Sequence, residues 1–530
     1  MKKNKLFLAA AIIAVAFASC KKKSSELANA IPVSAAYVAC VDIQSIVTKS
    51  DYDIFKNETV QRGINLAKGM LGKKEAVDLL DALSKDVNAL GLNIKGDCYI
   101  YTDYTTLGVV LGVNDAEKFK QALLDFSLPA DAIEKENGIY IVSPDKNAVI
   151  VWSNNKFLLA MNISMMYKYA GEKIDMKAAA LKQLTQDADE SINSVPAFAE
   201  FLSAKKDISV YCTLTESYLD FIKSAMDRYE FPKETMDMLE EWNGAAFGSY
   251  VSFEKGEITG EGKVYYPNSD MEKKYKDISA SFAGELKGEQ LKRIPENAIF
   301  AASANVKGSG LYDYLGKVGL FSFINEKDAI GLLKTVLDEI DGEITFALTD
   351  IATVKKSVDW GNGDKYEYDS TEPQFTLLVN CKDGGKAFEL LSAKISEEGQ
   401  SLQEVAPDVY ACGDAFIAVK GNTLSVTSNQ ASLDNPAATT SLSAFSKGKI
   451  IALGGDFKPL KEIVSRVILD SGASEITGGL IDLFDTYQLS GKLDVAEGKI
   501  IMTDKSQNSL ASFCQWLDKT LTELNGKLNF

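Results

Sequence analysis

Residues 31–285 and 286–530 present similar elements in the same order, and this repetition limits the possible folds more than any single motif does. Ile31-Pro32 opens a stretch with Ala35, Tyr37, Ala39 and Ile43, and Ile294-Pro295 opens one with Ala298, Phe300, Ala302 and Val306 at the same spacings. Gly96-Asp97 leads an alternating run to Thr102-Asp103, as Gly342-Glu343 does to Thr349-Asp350. Val113-Asn114 precedes a helical pattern containing Phe119, and Val379-Asn380 precedes one containing Phe388. Residues 208–258 align with 450–500 at a constant offset of 242, which pairs Trp242 with Phe484 and Gly256 with Gly498. Apolar class is kept at period two in strand-like runs and near 3.6 in helical ones. Generic amphipathic segments can converge on such patterns, but a shared fold accounts better for the whole ordered set.

Within each half, short alternating runs are separated by turn residues. In the first they cover 109–113, 139–142, 148–152 and 157–161, with Asp145-Lys146-Asn147 and Asn154-Asn155 as turns. In the second they cover 375–379, 409–412, 416–419 and 423–426, with Gly421-Asn422 as a turn. Strands joined by turns this short must run antiparallel. The expected class is therefore α+β: two homologous domains, each an antiparallel sheet with helices packed on one face. The boundaries follow as a signal peptide over 1–19, a lipidated linker over 20–30, and repeats over 31–285 and 286–530.

The N-terminus carries an address. Lys2, Lys3 and Lys5 precede an apolar run from Leu6 to Phe17, then Ala18, Ser19 and Cys20. The apolar run is shorter than a comfortable membrane span, so it reads as a cleaved leader. Phe17-Ala18-Ser19-Cys20 resembles the lipobox of bacterial lipoproteins, with Phe17 in place of the usual Leu. That resemblance implies acylation of Cys20, and each buried methylene of such chains adds about 0.8 kcal/mol of membrane affinity.

The paired Ile-Pro openings and the lipobox together resemble the Bacteroidetes lipoproteins grouped as a domain of unknown function, the 4836 type. The resemblance implies a long, secreted, two-part protein of no established activity, and it transfers no functional residues. Surface-exposed lipoproteins of that phylum tend to carry an acidic stretch after the cysteine, whereas Lys21-Lys22-Lys23 stands here. The expected location is the outer membrane, facing the periplasm.

Composition narrows the chemistry. The net charge of −17 and the lack of a long basic cluster argue against nucleic-acid partners. With no histidine, imidazole-based nucleophilic systems and the usual zinc sites are excluded. The six cysteines beyond Cys20 form no CxxC pair and read as small apolar thiols. No cofactor is indicated. Residues 338–343 are dense in carboxylates but lack the ligand spacing of a calcium loop. Ser153-x-x-Lys156 and Ser203-x-x-Lys206 match a serine-lysine motif, but the first falls at a strand turn and neither has partner motifs.

The halves differ in two insertions. The second half gains a hairpin near 354–368, with Asn362-Gly363 favouring a tight turn and Trp360, Tyr366 and Tyr368 near its tip. Exposed aromatics there would suit contact with a glycan or an envelope protein, unless they cover one another across the hairpin. The first half gains a helical segment over about 163–192, and Leu510, Phe513, Leu517 and Leu521 space as a C-terminal docking helix. The expected function is a lipid-anchored, non-catalytic binding or scaffolding module. A carboxylate-dependent hydrolase acting on polysaccharide is the alternative.

Overall fold

In the computed structural model the described residues lie within 24–528, apart from 54–55, 58–60, 63, 66–67, 69–73, 84–85, 165–173, 216–218, 220–221, 224–231, 325–326, 360–364, 435–436 and 468–470. The leader, Cys20 and Trp360 lie outside them. The chain forms two compact units that interleave in sequence instead of meeting once at 285/286: unit 1 holds 1–220, 243–267 and 504–530, and unit 2 holds 221–242 and 268–503.

Unit 1 contains β1 (Tyr37–Asp42), β2 (Leu92–Asn93), β3 (Asp97–Thr102), β4 (Thr106–Val113), β5 (Glu134–Glu136), β6 (Ile139–Asp145), β7 (Ala148–Trp152), β8 (Lys156–Asn162), β9 (Ile208–Thr213), β10 (Ala246–Glu254) and β11 (Glu257–Tyr265). Apart from the short β2, which pairs with β4, the order is 5-6-7-8-4-3-1-9-10-11, antiparallel throughout. Unit 2 contains β12 (Phe300–Lys307), β13 (Ile340–Asp359), β14 (Lys365–Cys381), β15 (Gln403–Ala406), β16 (Val409–Cys412), β17 (Ala415–Lys420), β18 (Thr423–Thr427), β19 (Ile451–Asp456), β20 (Phe484–Gly491) and β21 (Val495–Met502). Its order, 15-16-17-18-14-13-12-19-20-21, is that of unit 1 strand for strand. The helices Ala116–Asp125 and Gly384–Glu397 also start alike. Asp115 accepts the Lys118 N–H at 2.9 Å and Asp383 accepts the Lys386 N–H at 3.1 Å, each satisfying an orphan donor of the first turn.

The constant offset of 242 does not survive. The inward residues of β9 are Ser209 and Tyr211, and those of β19 are Ala452 and Gly454. The two strands therefore match one residue out of step with that alignment, and a one-residue slip exchanges the faces of a strand. Gly256 sits in the turn after β10 with φ of 73°, whereas Gly498 lies within β21 opposite Leu489.

Helices pack on both faces of each sheet, not one, although on the second face Ile100, Val210 and Phe247 in unit 1 and Phe346, Ile451 and Leu489 in unit 2 stay exposed. Strands such as β7 are apolar on both sides: Val149 and Val151 join one core, Ile150 and Trp152 the other. On the first face Tyr101 donates to Gln183 Oε1 at 2.6 Å on the helix Met176–Thr185. On the second, Trp152 Nε1 donates to the Ala116 carbonyl at 3.1 Å. In unit 2, Leu442 of the helix Ser441–Phe445 joins Ala301, Ala347, Leu378 and Ala452 on one face. Phe388 stacks on Tyr410 at 4.5 Å on the other. The insertion at 163–192 supplies the packing helix Met176–Thr185, whose Met176, Ala180 and Leu184 are buried.

Two ends of the chain are also packed differently from the sequence reading. Leu27, Ala28, Ala30 and Ile31 are core residues, so the fold begins within the stretch 20–30. The C-terminal helix Ser509–Leu528 docks through Ser509, Ala511 and Ser512, and Asp518 accepts from Tyr52 at 2.6 Å. Phe513 and Leu517, expected to dock, are instead exposed.

Close helix approach in unit 2 depends on glycine. The helices Gly308–Lys317 and Ser269–Phe282 meet where Phe282 stacks on Tyr314 at 4.9 Å, and a Cβ on Gly310 would lie 2.0 Å from the Ser281 carbonyl oxygen. Because that neighbour is backbone it cannot swing aside. Gly310→Ala should destabilise by about 1–3 kcal/mol despite the roughly 1 kcal/mol that alanine gains in helix propensity. Chemical denaturation reads the difference.

Candidate functional site

The hairpin that extends β13 and β14 past their neighbours places two of the three expected contact residues. β13 and β14 pair without a break from Asp350↔Gln374 to Asp359↔Lys365. On β12 the ladder to β13 reaches only Leu348, and on β18 the ladder to β14 reaches only Thr376. Val358 faces Tyr366 and Lys356 faces Tyr368, so these four share one side. Tyr366 is 61 % exposed, Val358 43 % and Tyr368 38 %. The rings stand 6.3 Å apart and 17° from parallel along one strand. They neighbour one another on the same strand, so neither covers the other from across the hairpin. Lys356 pairs with Glu372 and lies 3.5 Å from Asp414, which steadies the ribbon at its base.

A second feature was not visible in the sequence. In unit 2 a shallow depression open to solvent has an apolar floor of Leu291, Ile294, Ala298, Ala301 and Leu442. Glu296, Ser441, Tyr487 and Gln488 form its rim. The Glu296 carboxylate accepts the Ser441 N–H, 3.1 Å from each oxygen, as well as the Ser441 hydroxyl. Gln488 Nε2 donates to Ser441 Oγ at 2.8 Å, and Tyr487 donates to the Ile299 carbonyl at 3.2 Å. Burial raises the Tyr487 phenol pKa. Gly454 and Gly455 complete the lining.

The other chemical candidates are taken up structurally. Ser153 donates to Asn155 Oδ1 at 2.8 Å within its turn while Lys156 Nζ reaches the Leu184 carbonyl at 3.5 Å, and Ser203 donates to the Glu200 carbonyl at 2.7 Å. In the carboxylate run, Asp338 pairs with Lys334, Glu339 with Lys386, and Glu343 accepts three backbone N–H groups. Among the described residues no group of three or more Cys, Asp or Glu side chains could hold a metal ion. No helix among them is long and apolar enough to cross a membrane.

Cys40, Cys98, Cys212, Cys381, Cys412 and Cys514 are free thiols, the first two and Cys381 buried. Burial, reinforced by the nearby Asp97 carboxylate, pushes the Cys40 and Cys98 thiols up to about 12. Thiolate is the reactive form. A disulfide reagent at pH 8 should leave both unmodified in the native protein and label them after denaturation, as counted by mass spectrometry of their peptides.

Two long antiparallel sheets of common strand order, with helices on both faces, define an α+β protein. The match to the family described as Domain of unknown function (DUF4836) covers residues 27–444, and the chain belongs to that family. A search of curated proteins returns no match. Partial likeness is found to solved structures described as crystal forms I and III of TP0453. The first is 11% identical with a TM-score of 0.24, covering 47% of this chain and 82% of that one. The second is 9% identical with a TM-score of 0.23, covering 48% and 87%.

Proposed function

We propose that the protein is a lipid-anchored component of the cell envelope acting as a non-catalytic binding or scaffolding module. The observation that carries this reading is the tyrosine-bearing hairpin, which holds aromatic side chains in solvent on a ribbon that, among the described residues, has no other strand beside it. Aromatic anchors of this kind dominate recognition of protein and glycan surfaces. Cys20 would carry the lipid. Because the helix Ser24–Ala28 leads directly into the core at Leu27, only residues 21–23 would separate anchor from body, a reach of about 10 Å at full extension. Lys21-Lys22-Lys23 would then rest at anionic headgroups. The common strand order supports duplication of one ancestral domain, and the basic stretch after Cys20 favours the periplasmic side of an outer membrane. The hydrolase alternative gains little from the cleft, where Glu296 is the lining carboxylate and is engaged by Ser441.

Two variants test the reading. Replacing Cys20 by Ala should abolish acyl labelling and release the protein from the membrane fraction. Tyr366→Ser with Tyr368→Ser should weaken retention on envelope glycans or envelope proteins at least about ten-fold, the effect of losing an aromatic anchor, with the thermal melt unchanged. Unaltered fractionation of the first variant and unaltered retention of the second would leave neither half of the proposal standing.

A further inference from the structure

The ribbon that β13 and β14 extend past their neighbours has two edges as well as two sides, and the edges differ. In an antiparallel ladder, residues alternate between pairs that exchange hydrogen bonds and pairs whose backbone groups point away from each other. Pro373, opposite Ile351, has no N–H to give, and the Ile351 N–H goes to Asp350 Oδ1 at 2.7 Å. The backbone groups of this pair therefore point outward. So do those of every second pair beyond it: Thr353 with Thr371, Lys355 with Asp369, Ser357 with Glu367, and Asp359 with Lys365.

Sheet edges commonly carry devices that stop another strand from adding to them, above all proline and charge. The β14 edge has both. Pro373 offers no donor, and the exposed Glu367 and Asp369 hold neighbouring outward positions. Two such edges set antiparallel about Tyr368 would place Glu367 opposite Asp369 twice, a repulsive arrangement. On β13 only the base is blocked, where the Asp350 carboxylate occupies the Ile351 N–H. Thr353, Lys355 and Ser357 are exposed, and among the described residues no strand pairs with this edge of β13 beyond Leu348. A two-stranded ribbon is at best marginally stable in water, and further strands stabilise it.

We propose that the β13 edge pairs with the same edge of a second copy of this chain, antiparallel about a two-fold axis at Ser357. Charge selects this register. An axis at Lys355 or Lys356 would set two lysines opposite each other, whereas an axis at Ser357 sets Lys355 opposite the partner's Asp359, and Asp359 opposite the partner's Lys355. On the tyrosine-bearing side Val358 faces the partner's Lys356. The outward pairs exchange about six backbone hydrogen bonds. They make one four-stranded sheet with Tyr366 and Tyr368 of both copies on a single side. The pairing uses the edge of the ribbon and leaves its tyrosine side open, so it does not rest on the binding role proposed above, and the retention test does not decide it.

Sedimentation equilibrium of the full chain tests the pairing. The wild type should dimerise with a dissociation constant of about 100 µM, in keeping with an interface at the small end of the range. Lys355→Asp or Asp359→Lys alone sets like charges opposite each other at two symmetric places and should weaken the dimer about ten-fold. The double variant restores opposite charges and should return to within about two-fold of the wild type. Unchanged thermal melts of all three variants report that they are folded. Ser357→Cys should give a covalent dimer with oxidised glutathione, because directly opposed residues of a hydrogen-bonded pair lie about 5.5 Å apart at Cα, within disulfide reach. Each disulfide formed between copies converts one oxidised glutathione into two reduced ones. Thr371→Cys, on the β14 edge, should cross-link no more than the wild type, whose own cysteines set the background. The proposal is overturned if the wild type stays monomeric at several times the expected dissociation constant, if dimerisation survives both single charge changes, if the double variant fails to recover, or if Thr371→Cys cross-links as readily as Ser357→Cys.

Discussion

Asp207→Ala is expected to destabilise the protein by about 3 kcal/mol, toward the lower end of the cost of breaking a buried ion pair. The Asp207 carboxylate is buried immediately before β9 and accepts from Ser45 Oγ at 2.5 Å, from Lys49 Nζ at 2.8 Å and from the Phe253 N–H at 2.7 Å. Its own carbonyl accepts the Asp42 N–H at 2.9 Å. One side chain therefore ties the helix Ile43–Ser50 to β10. Removing it leaves a backbone donor and a hydroxyl without their acceptor and an ammonium without its nearer partner. Lys49 retains Glu254 at 3.1 Å and some contact with water, which is why the larger values of the range are not expected. Burial alone would lower the Lys49 pKa, and the bonds to Asp207 and Glu254 outweigh it and hold the group above its ordinary value. Asp207→Asn should cost less than Asp207→Ala, since an amide oxygen can still accept one of these bonds. Denaturant midpoints for the two variants, with the slope unchanged, check the order.

Glu343→Ala should cost a similar amount, about 3–5 kcal/mol, in unit 2. Its carboxylate is buried and accepts the N–H groups of Lys287 at 2.6 Å, Gly288 at 2.9 Å and Gln290 at 3.1 Å. Hydrogen bonds to a charged acceptor each contribute more than neutral ones. Three donors on one short segment would lose it together. That segment also delivers Leu286 and Leu291 to the core that Ala301 and Ala347 share, so losing the clamp loosens the apolar contacts as well. Glu343→Gln keeps one acceptor oxygen and should recover roughly half of the loss. Hydrogen exchange at Gly288 and Gln290 separates a local opening from global unfolding. If these amides stay protected in Glu343→Ala, the clamp is not what holds the segment.

Much of the secondary structure was legible in the sequence because most strands are short and bounded by turn residues. The runs 148–152 and 409–412 coincide with β7 and β16, and Phe119 and Phe388 fall on the helices expected after Val113 and Val379. Layering was not legible. Alternation shows that successive side chains point to opposite faces, but Ile150 and Trp152 look no different from Val149 and Val151 as letters. Only the helices that settle on each side reveal that both faces are packed. The C-terminal stripe failed for a related reason: helical spacing marked Phe513 and Leu517 as one face, while Ser512, Ala511 and the Tyr52 bond to Asp518 determined which face docks.

Of the candidate sites, the hairpin could be read directly, since Asn362-Gly363 between alternating runs fixes a turn and period two places Tyr366 and Tyr368 on one side. The cleft could not. Its lining comes from segments around residues 291–301, 440–442, 454–455 and 486–488, which only the fold brings together. Sequence alone determined the repeated order of elements, the antiparallel character and the exclusion of imidazole chemistry, because these depend on residue type and local spacing. Tertiary structure decided the register between the halves, the interleaving of the two units along the chain, and which distant segments line the cleft. Those depend on which distant strands exchange hydrogen bonds, and a shift of one residue there reverses what every side chain faces.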